Sequence, residues 1–193
     1  FFLNLTNLNH QIIKPIIIED QNLELKNHIL QYGSILGGIS VVFGLMLYSR
    51  DMHYSQDIEI TIISLVIMAS IIVIAQFIYK KENSGFISLS RALKLGVGIG
   101  LISAIIYSLY FVVLATVLDP DTIAKSNEVT IEKMSEWRYV TDEMLEKMED
   151  DMDNMTPPKA IFNTTSSILI VFIIISFLIS LISGLFLRHN RSE

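Results

Sequence analysis

The sequence predicts an all-α polytopic membrane protein. It has four transmembrane helices and an extra amphipathic acidic helix between the third and the fourth. Three observations predict this. Only 18% of the 193 residues are charged and 51% are hydrophobic, whereas a soluble domain carries about 25% charge. The deficit is gathered in four charge-free windows, residues 27–49, 60–79, 95–118 and 160–187. An apolar helix of about 20 residues crosses a bilayer core. The acidity is gathered as well: segment 119–159 holds 12 acidic and 5 basic residues, net −7, against −6 for the whole chain. This balance argues against a soluble enzyme and against nucleic acid as a partner.

Residues 1–28 read as an N-terminal arm, and residues 29–193 as the transmembrane domain. Asn4, Asn7, Asn9, His10, Gln11 and Lys14 interrupt the apolar residues of the arm. It lacks a basic start and a small-residue cleavage site, so it reads as a loosely ordered or interfacial arm rather than a signal peptide.

The first span is expected over 29–49. Gly33, Gly37, Gly38 and Gly44 lie along it with Ser34 and Ser40. Small residues four apart let helix backbones approach closely in lipid. Arg50–Asp57 is a short polar link, and the second span is expected over 58–79. Tyr79-Lys80-Lys81 marks the return to water, and Glu82–Gly85 is a turn by composition. Phe86–Leu95 has a short amphipathic pattern, with Arg91 and Lys94 able to reach headgroups by snorkelling. Lys80, Lys81, Arg91 and Lys94 are the candidate lipid-headgroup residues.

The third span is expected over 96–118, with Gly96, Gly100 and Ala104 as its small-residue stripe. Asp119-Pro120-Asp121 ends it, because the residue before a proline disfavours helix. The acidic loop, 119–159, carries Met134, Trp137, Thr141, Met144, Met148, Met152 and Met155 at helical spacing. Thr130 is a candidate cap for one helix, and Thr156-Pro157-Pro158 would stop it. The fourth span is expected over 163–187, with Ser176, Ser180 and Gly184 at four-residue spacing.

The candidate sites are modest. No cysteine is present and no two of His10, His28, His53 and His189 are spaced to share a helix face. No metal site, cofactor or catalytic residue is therefore expected. Glu149–Asn154 lacks the glycine and ligand spacing of an EF-hand loop and reads as a solvated helix face. Asp119 and Asp121 fit a turn that ends a span better than a cation site. The Met/Trp stripe fits either packing on the bundle or membrane surface, or a partner surface built on Met134, Trp137, Met144, Met148 and Met152. The spans hold no charged residue, whereas transporters usually place ionisable groups inside the membrane. The basic residues favour cytoplasmic termini, with 119–159 outside.

The run Asn83-Ser84-Gly85-Phe86-Ile87-Ser88-Leu89-Ser90-Arg91-Ala92-Leu93-Lys94-Leu95-Gly96, together with Tyr32–Ser40 and Asp119-Pro120-Asp121, resembles the signature of a known family. This is the domain of unknown function 4199 family of bacterial (Bacteroidota) four-helix integral membrane proteins. The resemblance covers about residues 26–188. Ser84 stands where the family pattern has Gly, and Ser90-Arg91 where a Gly-Glu-like pair is usual. The resemblance implies fold and location but no activity.

The resulting expectation is a non-enzymatic accessory or scaffold subunit in the bacterial inner membrane. Its partners would be membrane lipids and another membrane protein, or a second copy of itself. The alternatives are an accessory of a polyprenyl-phosphate-linked glycosyltransferase and, behind it, a small transporter or channel.

Overall fold

The structure, a computed structural model, describes the backbone of residues 2–188 and the side chains of 24–188. It is all-α. The elements are α1 (Phe2–Tyr48), α2 (Ile58–Glu82), α3 (Leu89–Val113) with a π turn (Leu114–Leu118), α4 (Thr122–Ser135), α5 (Asp142–Asp153) and α6 (Pro157–Leu187). Four stretches are long and apolar enough to cross a membrane: Glu24–Tyr48, Ile58–Glu82, Leu89–Leu118 and Pro157–Leu187. The chain is thus a multi-pass membrane protein.

The expected boundaries shift at every span. α1 starts at Phe2, so the arm expected to be loose is helix continuous with the first span. The side chains of residues 1–23 and the tail residue Arg191 lie outside the described residues. The third helix starts at Leu89 rather than at 96, because the Ser88 side chain accepts a hydrogen bond from the Arg91 amide. That cap joins the short amphipathic stretch to the span.

The expected single acidic helix is two. α4 runs from Thr122, with Thr130 inside it, where its hydroxyl donates to the Ser126 carbonyl at 2.7 Å. The chain then turns at 136–141, and Thr141 caps α5 by accepting from the Met144 amide at 3.3 Å. Pro157 opens α6, where its missing N–H costs nothing.

α3 is the spine of the bundle. Ala92, Leu95, Gly96, Ile99, Gly100, Ser103, Ala104 and Ser108 are buried along it. Their three- and four-residue spacing gives one continuous helix surface. On one side, Ile29, Gly33 and Gly37 of α1 meet Gly98, Ile102 and Ile106. Both sequences rise together, so α1 and α3 run parallel. On the other side, Ala92, Gly96 and Gly100 meet Gly184, Ser180 and Ser176 of α6. Here one rises as the other falls, so the helices are antiparallel.

The large apolar side chains point outward, with Leu109 65% and Phe186 86% exposed. Lipid removes the incentive to bury them, so contact is won by close backbone approach at small residues.

α2 is held by a polar staple. Fully buried Gln76 donates to the Ala92 carbonyl at 3.2 Å, and its Oε1 accepts from the Ser183 hydroxyl at 2.7 Å. This links α2, α3 and α6.

Candidate functional site

The most structured polar cluster lies where the first link and the end of the third span meet. α1 ends in a Schellman-type turn: the Met52 amide donates to the Leu47 carbonyl, and the Asp51 amide to that of Tyr48. Asp51 occupies the left-handed position at φ 53°, which Asp tolerates better than most residues. The turn delivers His53 to the membrane boundary.

Opposite it, the π turn closes with the Asp119 amide donating to the Leu114 carbonyl at 2.8 Å. One extra residue in that turn rotates the chain and presents Asp119. The Tyr48 hydroxyl donates to the Leu118 carbonyl at 3.1 Å and ties the two ends together.

His53 Nε2 lies 2.9 Å from Asp119 Oδ2 and 3.1 Å from Thr122 Oγ1. Lys125 Nζ donates to both Asp119 oxygens, at 3.2 and 3.0 Å. The Asp121 amide donates to Asp119 Oδ1 at 3.2 Å, which makes the expected Asx turn. The Lys125 ammonium holds the Asp119 carboxyl below its ordinary range, and the His53 and Thr122 hydrogen bonds act the same way against the effect of burial. The carboxylate in turn raises the Lys125 pKa. Tyr48 and Tyr54 stand edge-on to the His53 ring at 5.2 and 5.0 Å.

Beneath His53 a cavity of about 330 Å³ runs between the spans. Leu36, Phe43 and Leu47 of α1, Leu65 and Met68 of α2, Tyr107 of α3 and Phe172 of α6 line it. Asp119 was legible as a span end, but sequence reasoning missed His53, Thr122 and Lys125. Parity was the available signal: the first link and the end of the third span must lie on the same side of the membrane.

A second, wider groove of about 800 Å³ lies between α4, α5 and the start of α6. Its apolar lining includes Ile123, Ile131, Met152 and Met155, and its acids are Glu128, Glu132, Glu149 and Asp153. The Met/Trp stripe is therefore not one continuous face. Met134 sits on α4, Trp137 in the turn at 62% exposure, and Met144, Met148 and Met152 on α5. Of these five, only Met152 lines the groove.

At the opposite end of the bundle, Lys80 and Lys81 close α2, and Arg91 and Lys94 open α3. The link between them is tight. Ser84 and Gly85 both have positive φ, 55° and 83°, and the Gly85 amide donates to the Lys80 carbonyl at 2.9 Å. Beside it, His28 Nε2 pairs with Glu82 Oε2 at 2.9 Å.

Of the expected packing residues, Gly33, Gly37, Gly44, Gly96, Gly100, Ala104, Ser176, Ser180 and Gly184 are all buried at helix contacts or in the core. Gly38 is the exception: it is exposed, and a Cβ there would meet nothing within 4 Å. It lies on the other face of α1 from Gly33 and Gly37. Gly98, which receives Ile29, takes its place in the interface.

A family model described as a protein of unknown function, DUF4199, matches residues 31–189. No curated protein matches the chain, and no solved structure does.

Proposed function

The chain belongs to the DUF4199 family, and from that premise we propose that it is a non-enzymatic accessory or scaffold subunit of a membrane complex. The groove between α4, α5 and α6 carries this reading. It combines an apolar lining with Glu128, Glu132, Glu149 and Asp153, which suits an amphipathic, basic segment of another membrane protein. A second copy of the chain would bring acid to acid, so a different protein is the better fit.

We place the protein in a bacterial inner membrane with both termini cytoplasmic. Lys80, Lys81, Arg91 and Lys94 cluster around one inter-helix link, and such clusters stay on the cytoplasmic side. α4 and α5 then lie outside. The same cluster supports the second reading, an accessory of a polyprenyl-phosphate-linked glycosyltransferase, since four bases there suit lipid phosphate.

The test is photo-crosslinking from Ile131 in native membranes, followed by gentle purification. A stoichiometric partner is expected, and Glu128→Lys/Glu149→Lys should abolish it while the helix content is retained. A solitary monomer, or a partner indifferent to the charge reversal, overturns the reading.

A further inference from the structure

We propose that the cavity beneath His53 binds a membrane-soluble alcohol, a single hydroxyl on an apolar chain, with the hydroxyl donating to His53 Nδ1. The His53 side chain is only 3% exposed. Its Nε2 faces Asp119 and Thr122, while Nδ1 is buried and has no hydrogen-bond partner. A buried polar atom left unpaired keeps its full desolvation cost, so it marks a place where a partner belongs.

The chemistry of that partner follows from the neighbours. Lys125 already balances the Asp119 charge, and a second cation beside it would be unpaired. The ring therefore donates from Nε2 to the carboxylate, and Nδ1 presents a lone pair. A lone pair in an apolar site calls for a donor without charge, which is a hydroxyl.

The rest of the cavity suits a chain. From Leu47, near the His53 level, to Leu36 the lining descends along α1 by about 16 Å of helix rise. Below the boundary it is chiefly Leu, Ile, Phe, Met and Val. Of the hydroxyls on its wall, those of Ser55, Thr61 and Ser64 are committed to the Asp57 carboxylate, the Asp57 carbonyl and the Ile60 carbonyl, and Ser40 and Tyr107 add two more along the chain's path. Leu65 lines the cavity and is 45% exposed, so the α2 wall of the cavity also faces the bilayer. A volume of about 330 Å³ is at the lower end for small-molecule sites. It holds one chain rather than the two of a phospholipid. Hydroxyl at the boundary and chain toward the midplane is also the orientation such a molecule adopts in a bilayer.

The proposal is independent of the outer groove, and its test needs no protein partner. The full chain is reconstituted in nanodiscs of phosphatidylethanolamine and phosphatidylglycerol. The probes are a 15-carbon alcohol with a mid-chain diazirine, in linear and isoprenoid forms, and the methyl ether of each. Saturable labelling of residues 64–68 and 171–175 is expected, at least tenfold stronger for an alcohol than for its ether. The form that labels better identifies whether acyl or isoprenoid alcohols are the natural source. His53→Phe should bring alcohol labelling down to the ether level, with thermal melting to confirm that the variant is folded. Should it unfold, the wild-type comparison of alcohol with ether decides alone. Equal labelling by alcohol and ether, or labelling confined to outward positions such as Ile74 and Leu178, overturns the proposal.

Discussion

Gly96 of α3 lies so close to Ser180 of α6 that a Cβ on Gly96 would collide with the Ser180 hydroxyl and come within 2.7 Å of its Cβ. Both residues are buried in the antiparallel α3–α6 contact. Gly96→Ala should therefore cost about 1–3 kcal/mol, the usual penalty for overpacking. Gly96→Ala combined with Ser180→Gly should recover most of it. Thermal unfolding in detergent, read by circular dichroism, measures the cycle. Additive losses would show that the two residues do not share a contact.

Gly38 gives the opposite expectation. Nothing lies within 4 Å of a Cβ there, and glycine inside a helix costs roughly 0.5–1 kcal/mol relative to alanine. Gly38→Ala should leave the melting temperature unchanged or raise it. A fall like that of Gly96→Ala would mean that Gly38 faces a neighbour.

These two glycines illustrate what the sequence could and could not convey. Four charge-free windows announce four spans, because lipid tolerates little else. Small residues four apart announce a close contact. Yet Gly33/Gly37 and Ser34/Gly38 have the same spacing on different faces, and only the position of α3 separates them. The third span's start moved because the capping hydroxyl of Ser88 extends the helix past the apolar core. The split between α4 and α5 was hidden because Met and Trp recur at helical spacing straight through the turn. The His53–Asp119 contact joins residues 66 apart, and no local periodicity reports that.

Ser84 has φ 55°, a left-handed conformation that costs an L-residue about 1–2 kcal/mol. Glycine escapes that cost but loses more backbone freedom on folding. Ser84→Gly should thus stabilise the protein by about 0.5–1 kcal/mol, seen as a higher melting temperature. This also gives a physical reason for the glycine of the family pattern at that position. A lower melting temperature would mean that the Ser84 side chain makes a stabilising contact that outweighs the strain.

The Gln76 staple is open to a direct test. Its side chain is fully buried and bonds to both α3 and α6. Polar contacts between membrane helices average about 0.6 kcal/mol and reach about 1.7. Gln76→Leu should cost an amount in that range, and Ser183→Ala should add little once Gln76 is gone. A full additional loss from Ser183→Ala would separate the two side chains energetically.

Asp119 predicts the response to acid. Its pKa is lowered in the folded protein, first by the Lys125 hydrogen bond and also by those to His53 and Thr122. A depressed carboxyl contributes stability above its unfolded value, about 3.9, and loses it as pH falls through the folded value. The cluster should therefore hold at neutral pH and weaken below about pH 4. Lys125, with its raised pKa, works in the other direction: its share is complete below the ordinary lysine value and fades only as pH rises beyond it. Because the Lys125 side chain is 40% exposed, solvent screens the pair, and the acid-labile part should be a small share of the total stability. Detergent melts from pH 7 to pH 3 measure it. Asp119→Asn should start lower than the wild type at pH 7, and the two curves should converge at the acid end. Parallel curves across the whole range would mean that the Asp119 charge does not hold the loop ends together.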